Sequence, residues 1–225
     1  MGSCHLVMNI AKNNFLLLAL SVIGLGIVLG AFLWLKLQPR DGYRLSEVQS
    51  LEGLNDFGSV PEFSLTERSG ETASLAGLRG KVWIADFIYT SCTDTCPLQS
   101  AEMAKLQEHW SNRRDLTLVS FSVDPERDTP QVLTRYAEHF KADTDRWLFL
   151  TGNKEQILRL VQEGFRLSAT PVVTGGADED VILHSPRFVL IDRAAQIRGY
   201  YDSRDAAALQ RLNNDVLSLL SNRKE

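Results

Sequence analysis

Hydrophobic positions are distributed unevenly along this chain, with one long run near the amino terminus and many short runs after it. Residues 15–35 contain no charged side chain, and as an α-helix they would extend about 31 Å, the thickness of a bilayer core. A cleaved signal peptide has a shorter apolar stretch and a small-x-small cleavage site, which residues 31–36 lack. We therefore predict an uncleaved transmembrane helix at residues 15–35, after a short flank at residues 1–14.

The short hydrophobic runs predict a folded domain at residues 60–225, joined to the anchor by a polar tether at residues 36–59. Apolar runs between turn residues indicate strands, and hydrophobic residues at helical spacing indicate helices. The predicted strands are residues 60–65, 81–88, 116–123, 147–150, 188–191 and 197–201. The predicted helices begin near Cys96, at Pro130 with Asp128 or Thr129 as N-cap, before Ile157, and at Ser203 or Asp205.

The order of these elements indicates the fold class. Strands and helices alternate through most of the domain, and the last two strands form a hairpin that is followed by a final helix. This order is typical of an α/β sheet covered by helices on both faces, with an antiparallel pair of strands at the end. We therefore predict a thioredoxin-like fold with an N-terminal transmembrane helix.

Charge and cysteine content narrow the possible chemistry. The net charge is −4 and the basic residues form no stripe, so the sequence does not favour nucleic acid as a partner. Only three cysteines are present, and one of them, Cys4, precedes the predicted membrane span. The other two, Cys92 and Cys96, lie in the folded domain.

Cys92 and Cys96 fall where the strand at residues 81–88 is predicted to give way to a helix. With Cys96 in the first helical turn and Cys92 in the loop before it, both sulfurs can converge near a helix N-terminus. The free N–H groups and the helix dipole at that end favour thiolate over thiol. Such a pair can form a disulfide or bind a soft metal ion, whereas two small core residues would be the purely structural interpretation.

His184 is a candidate for a third metal ligand. It precedes the predicted strand at residues 188–191, and in a thioredoxin-like fold the loop that enters this strand faces the cysteine turn. A lone histidine in a loop is more often a surface residue, so spacing alone leaves its role open. Two thiolates and one imidazole suit Cu(I), whereas structural zinc requires a fourth ligand. Asp94, between the two cysteines, is either a second negative charge at the site or a capping or solvated residue.

Several motifs of the chain, taken together, resemble the Sco/SenC family. They occur in family order at residues 60–63, 80–81, 89–97, 123–130, and 184–185 before 190–192. The resemblance implies a membrane-anchored protein that binds copper through Cys92, Cys96 and His184. One departure is Leu183, since many relatives have Asp directly before the histidine; Glu179 and Asp180 are the candidate substitutes for that carboxylate.

The resemblance also implies a role in assembling the binuclear copper site of cytochrome c oxidase subunit II, or in loading another copper-receiving protein. The chain would act there as copper donor, as thiol reductant, or as both. A carrier needs no enzymatic turnover and requires ligands exposed at the surface for transfer. The alternative is an enzyme, a thiol:disulfide oxidoreductase that uses Cys92 and Cys96 as its redox pair. A peroxidase is disfavoured because the expected Thr-and-Pro frame is missing before Cys92.

The compartment follows from the predicted anchor and dithiol. Both fit the outer, periplasmic side of a bacterial cytoplasmic membrane. The mitochondrial inner membrane is the less favoured location, because the chain has no Arg- and Ser-rich leader.

Overall fold

The computed structural model describes residues 54–167, 186–221 of the chain. The predicted flank and membrane span at residues 1–35, most of the tether, and His184 lie outside these described residues. No helix within the described part combines the length and hydrophobicity that crossing a membrane requires.

The described residues form a mixed sheet of seven strands in the order β2-β1-β5-β4-β3-β6-β7. The three central strands β3, β4 and β5 run parallel, while β1, β2, β6 and β7 pair antiparallel with their neighbours. The strands are β1 Ser64–Glu67, β2 Thr72–Ser74, β3 Val82–Ile88, β4 Leu116–Ser122, β5 Trp147–Thr151, β6 Arg187–Ile191 and β7 Ile197–Asp202.

Helices cover both faces of this sheet. They are α1 Leu75–Leu78, α2 Thr95–His109, α3 Pro130–His139, α4 Lys154–Arg159 and α5 Ala206–Ser221, and α4 continues as a π-helical turn at Leu160–Gly164. The Thr129 side chain caps α3 by accepting a hydrogen bond from the Val132 N–H, as the sequence predicted. Asp205, not Ser203, caps α5 by accepting from the Ala207 N–H at 2.9 Å.

Two hydrophobic layers hold the helices on the sheet. Every residue of β3 and β4 is buried, as expected for parallel strands with helices on both sides. One layer contains Trp83, Phe87 and residues of α1 and α4. The other contains both cysteines together with Ile84 and Ile88 of β3 and residues of α2, α3 and α5. The cysteines therefore belong to the layer between α2 and the sheet.

The structure confirms the α/β class and the five strands predicted after residue 80, with each end shifted by at most one residue. The predicted edge strand at residues 60–65 is wrong. β1 begins at Ser64 and pairs with both β5 and β2, and β2 forms the edge of the sheet in a region where no strand was predicted. The sequence did not predict β2, because an edge strand with exposed and half-buried residues has little hydrophobic pattern.

Backbone pairing extends into the last residues of the predicted tether. Asn55 and Phe57 donate N–H hydrogen bonds to the carbonyl oxygens of Arg198 and Ile197, at 2.9 and 3.0 Å. The Ile197 N–H in turn donates to the Gly58 oxygen at 2.8 Å. Residues 55–58 therefore lie along β7.

Candidate metal and redox site

Both cysteines lie where β3 leads into α2, as predicted from the sequence. β3 ends at Ile88, and Cys96 is the second residue of α2. The chain forms a turn between Ile88 and Cys96, in which the Cys92 N–H donates to the Tyr89 carbonyl oxygen at 3.2 Å. The pair thus occupies the carboxyl edge of the parallel strands, where open α/β sheets commonly place their sites.

The two cysteines are close together and are not joined by a disulfide. The Cys96 N–H donates to Cys92 Sγ at 3.5 Å, and both thiols are free. The expectation that both ligands would be exposed is wrong, because Cys92 and Cys96 are only 8% and 2% exposed. The loop residues Ser91, Thr93 and Asp94 face solvent, while the sulfurs turn inward onto the layer beneath α2.

The surroundings of Cys92 favour its thiolate. Burial alone would raise the pKa of this thiol, but the N–H groups of Cys96 and Asp94 and the Tyr89 hydroxyl outweigh burial and lower it. Backbone N–H groups at the start of a helix stabilise negative charge in the same way. Cys92 is therefore the more nucleophilic of the two sulfurs.

Cys96 has the opposite tendency. Burial raises the pKa of its thiol well above the ordinary range, the Tyr89 backbone opposes this, and the negative charges of Cys92 and Asp86 raise it further. Two adjacent thiols that ionise so differently form an asymmetric pair. Cys92 therefore loses its proton at a lower pH than Cys96 does.

Tyr89 is a site residue that the sequence analysis missed. Burial, followed by its hydrogen bond to Cys92, raises the pKa of the phenol above its ordinary range. The hydroxyl therefore remains a donor to the Cys92 sulfur at neutral pH. Its position three residues before Cys92 was the only sequence signal, and a tyrosine at the end of a strand is common enough to be overlooked.

Asp86 is a second missed residue, on the same face of β3 as Ile84 and Ile88. It is completely buried, and neither of its carboxyl oxygens has a hydrogen-bond partner in the described part of the chain. Burial raises its pKa to about 7, although the neighbouring Ser120 lowers it in part. Asp86 also adds to the negative field that raises the pKa of Cys96. An acidic residue within an apolar run was the available signal.

Within residues 54–167 and 186–221, no three His, Cys, Asp or Glu side chains are grouped closely enough to bind a metal ion. His109 and His139 end α2 and α3 and pack edge-on against Trp110 and Phe140. His109 is thirteen residues beyond Cys96, about 20 Å along the helix, so it is not a third ligand. Asp94 is exposed and makes no capping hydrogen bond.

Two side chains fix the segment that follows His184 in sequence. The buried Gln99, one helical turn after Cys96, donates from Nε2 to the Arg187 carbonyl oxygen at 3.2 Å. Ser203 donates from both its N–H and its hydroxyl to the Pro186 carbonyl oxygen, at 2.8 and 2.9 Å. The start of β6 is therefore held beside the first turns of α2.

Comparison with known proteins identifies relatives over most of the described region. The family model described as SCO1/SenC matches residues 54–220. The chain is 32% identical over 161 residues to the SCO1 protein homolog of Bacillus subtilis, covering 71% of this chain and 81% of that protein. It is 33% identical over 144 residues to a Stutzerimonas stutzeri protein named as a proposed copper-binding protein, covering 63% of this chain and 68% of that protein.

A solved structure with the same architecture supports the match. It is that of BsSco, described as a member of the Sco family of cytochrome c oxidase assembly proteins and as having a disulfide switch. The two chains superpose with a TM-score of 0.64 at 30% sequence identity. The match covers 77% of this chain and 99% of that chain.

Proposed function

This chain belongs to the SCO1/SenC family, and from that membership and its cysteine site we propose that it is a copper chaperone. It binds Cu(I) through Cys92, Cys96 and His184 and assists assembly of the binuclear copper site of cytochrome c oxidase subunit II. The family match over residues 54–220 and the Sco family's description as assembly proteins support this assignment.

The observation that carries the proposal is the pairing of two free thiols at one helix N-terminus. The Cys96 N–H contacts Cys92 Sγ at 3.5 Å, and Cys92 ionises readily. Thiolates are soft ligands that select Cu(I), which accepts fewer ligands than the four typical of structural zinc. Cys96 must lose its proton when it ligates, so copper binding is expected to release a proton.

Covalent geometry supports His184 as the third ligand. Arg187, whose carbonyl oxygen accepts from Gln99, follows His184 by three residues, which span at most about 11 Å of chain. Gln99 itself lies one helical turn beyond Cys96. Only three residues of chain therefore separate His184 from the segment that Gln99 holds beside the first turns of α2.

Delivery proceeds by ligand exchange, with copper as cargo. Because both sulfurs are buried beneath exposed loop residues, the receiving protein has to reach them through the Ser91–Asp94 side of the site. We place the domain on the outer side of a bacterial cytoplasmic membrane, held by the uncharged residues 15–35. Copper delivered there reaches the receiving subunit without crossing the membrane.

The test is a Cu(I) titration of the full chain in detergent, against a competing chelator, in a Cys4→Ser background that leaves two cysteines. Cys92→Ser, Cys96→Ser and His184→Ala are each expected to weaken binding by at least about tenfold, or ~1.4 kcal/mol. His109→Ala and His139→Ala are matched controls and should bind like the parent protein. Unchanged affinity in His184→Ala would remove the histidine from the ligand set.

The unequal ionisation of the cysteines favours a second candidate function, reduction of a partner disulfide. The Cys92 thiolate attacks one sulfur of that disulfide, forming a mixed disulfide and releasing one partner thiolate. Cys96 then loses its proton and attacks Cys92 Sγ, which closes the Cys92–Cys96 disulfide and releases the second partner thiolate. Two electrons pass to the partner. This activity should survive His184→Ala, whereas tight copper binding should not.

A further inference from the structure

The segment after β4 lies beside the cysteine loop, although it is more than thirty residues away in sequence. β3 and β4 are parallel neighbours, with Ile88 paired to Ser122 at their carboxyl ends. The loops that leave two adjacent parallel strands emerge at the same edge of a sheet. Residues 123–130, which include the predicted start of a helix, therefore face residues 89–94.

The Asp128 side chain forms hydrogen bonds to the cysteine loop at residues 89–94. Its carboxylate accepts from the Thr90 N–H at 3.1 and 3.3 Å and from the Thr90 hydroxyl at 2.5 Å. The Ser122 hydroxyl donates to the same carboxylate at 2.6 Å. Asp128 is completely buried, so these protein groups replace the water that a carboxylate would otherwise bind. It connects the end of β4 to the residue two positions before Cys92.

The backbone around Asp128 is itself fixed. Its N–H donates to the Asp124 carbonyl oxygen at 2.9 Å, and the Arg127 N–H donates to the same oxygen at 3.1 Å. The Arg127 guanidinium pairs with the Asp124 carboxylate at 3.0 Å, and the next residue, Thr129, caps α3. Asp128 is therefore held on one side by this turn and on the other by a helix.

We propose that Asp128 is a positioning residue for Cys92, and that its carboxylate holds the loop in the conformation that gathers hydrogen-bond donors around the Cys92 sulfur. Tyr89 and Thr90 are adjacent, so fixing Thr90 also fixes the backbone that carries the Tyr89 hydroxyl. The same loop leads through Asp94 into α2, whose N–H groups point at the sulfur. The proposal does not depend on copper, because a carrier and a reductant both require a reactive Cys92.

A carboxylate is suited to this position because it only accepts hydrogen bonds. The Thr90 N–H, the Thr90 hydroxyl and the Ser122 hydroxyl all donate to it, so an ionised Asp satisfies them together. In Asp128→Asn the amide nitrogen replaces one acceptor and presents N–H groups to a donor. The substitution keeps the size of the side chain but removes at least one of these hydrogen bonds.

The test compares Cys92 alkylation in the parent protein and in Asp128→Asn, using the full chain in detergent with Cys4→Ser. Iodoacetamide is the probe, and peptide mass mapping assigns each product to Cys92 or Cys96 across a series of pH values. Asp192→Asn is the matched control. Asp192 is also buried and accepts backbone N–H bonds from Ala194 and Gln196, each at 2.9 Å, as well as an Arg198 ion pair at 2.9 Å, but it lies in the turn between β6 and β7.

We expect Asp128→Asn to lower the alkylation rate of Cys92 at pH 7 by roughly 3- to 10-fold and to move its pH–rate midpoint upward by up to about one unit. Asp192→Asn should leave both quantities unchanged. A folded Asp128→Asn protein with the parent's pH profile would overturn the proposal. Should that variant lose the native circular dichroism spectrum, Thr90→Val decides, since a slower Cys92 alkylation rate supports the proposed role of Asp128 and an unchanged rate overturns it.

Discussion

Asp86 on β3 lies directly opposite Ser120 on β4 in the parallel pairing of these strands, and Ser120 lowers the pKa of the Asp86 carboxyl in part. The same Ser120 hydroxyl accepts from Trp147 Nε1 at 2.9 Å. Among the residues that the structure describes, neither oxygen of the completely buried Asp86 is within hydrogen-bond distance of a partner. A buried carboxyl group in such surroundings is more stable when protonated.

Asp86 should therefore make the stability of the domain depend on pH. Burial raises its pKa from 3.8 to about 7, so between about pH 4 and pH 7 the folded chain holds a proton that the unfolded chain has lost. The free energy of unfolding then falls as pH rises through this window. We expect the parent protein to lose roughly 4 kcal/mol relative to Asp86→Asn between pH 4 and pH 8.

Guanidinium denaturation of both proteins at these two pH values, followed by circular dichroism, measures the effect. The comparison with Asp86→Asn removes the contribution of the other titrating groups, which both proteins share. Parallel pH–stability curves for the two proteins would contradict the prediction.

The two cysteines should react at different rates. The pKa of Cys92 is lowered and that of Cys96 is raised, and the thiolate is the reactive species. At pH 7, iodoacetamide should modify Cys92 first and leave Cys96 largely unmodified. In a Cys4→Ser background, Cys96→Ser should therefore keep most of the reactivity and Cys92→Ser should lose it. Equal labelling of the two sites by mass mapping would refute the assignment.

Tyr89→Phe should make Cys92 less reactive without unfolding the domain. The substitution removes one hydroxyl donor to the sulfur and retains the ring. We expect the alkylation rate at pH 7 to fall roughly two- to fivefold, corresponding to a rise of less than about one unit in the pKa. Tyr200→Phe is the control, since the Tyr200 hydroxyl donates to the Phe165 carbonyl oxygen in the other hydrophobic layer. An equal decrease in both variants would exclude a specific role for Tyr89.

Gln99→Ala should weaken copper binding through the segment that follows His184. The substitution leaves the Arg187 carbonyl oxygen without the hydrogen bond from Gln99, which should lower the free energy of unfolding by about 1–3 kcal/mol. It should also reduce Cu(I) affinity, because the segment that follows His184 in sequence loses one of the hydrogen bonds that fix it. The control is Gln107→Ala, which removes another α2 glutamine bonded to a distant carbonyl oxygen, that of Lys141. Chelator competition that finds equal Cu(I) affinities in the two variants would contradict this link.

In the segment at residues 124–130, Thr129→Ala should separate the capping of α3 from the support of the cysteine loop. Loss of the cap on Val132 should cost about 1 kcal/mol in the free energy of unfolding. The pH profile of Cys92 alkylation should not change, since Asp128 and Thr90 are untouched. A shifted profile would mean that the helix cap, and not the carboxylate, supports the cysteine loop.

Much of the architecture was predictable because buried strands and helix starts have recognisable patterns of neighbouring residues. β3 and β4 are hydrophobic along their whole length, and the start of α3 has a capping residue followed by proline. β2 has no such pattern, since its three residues are exposed or half-buried. The cysteine pair at the start of α2 was also predictable, because a four-residue spacing brings its members together within one segment.

The sequence by itself determined the type of fold, the position of the dithiol between strand and helix, and the family resemblance, since each depends on neighbouring residues. Only the tertiary structure decided that Cys92 is the reactive sulfur, that both sulfurs turn inward, and that Asp128 holds their loop. Those properties depend on groups that are distant along the chain and meet because β3 and β4 run parallel. The pKa of a thiol is determined by the hydrogen bonds, charges and burial around it in space, which the order of residues alone does not specify.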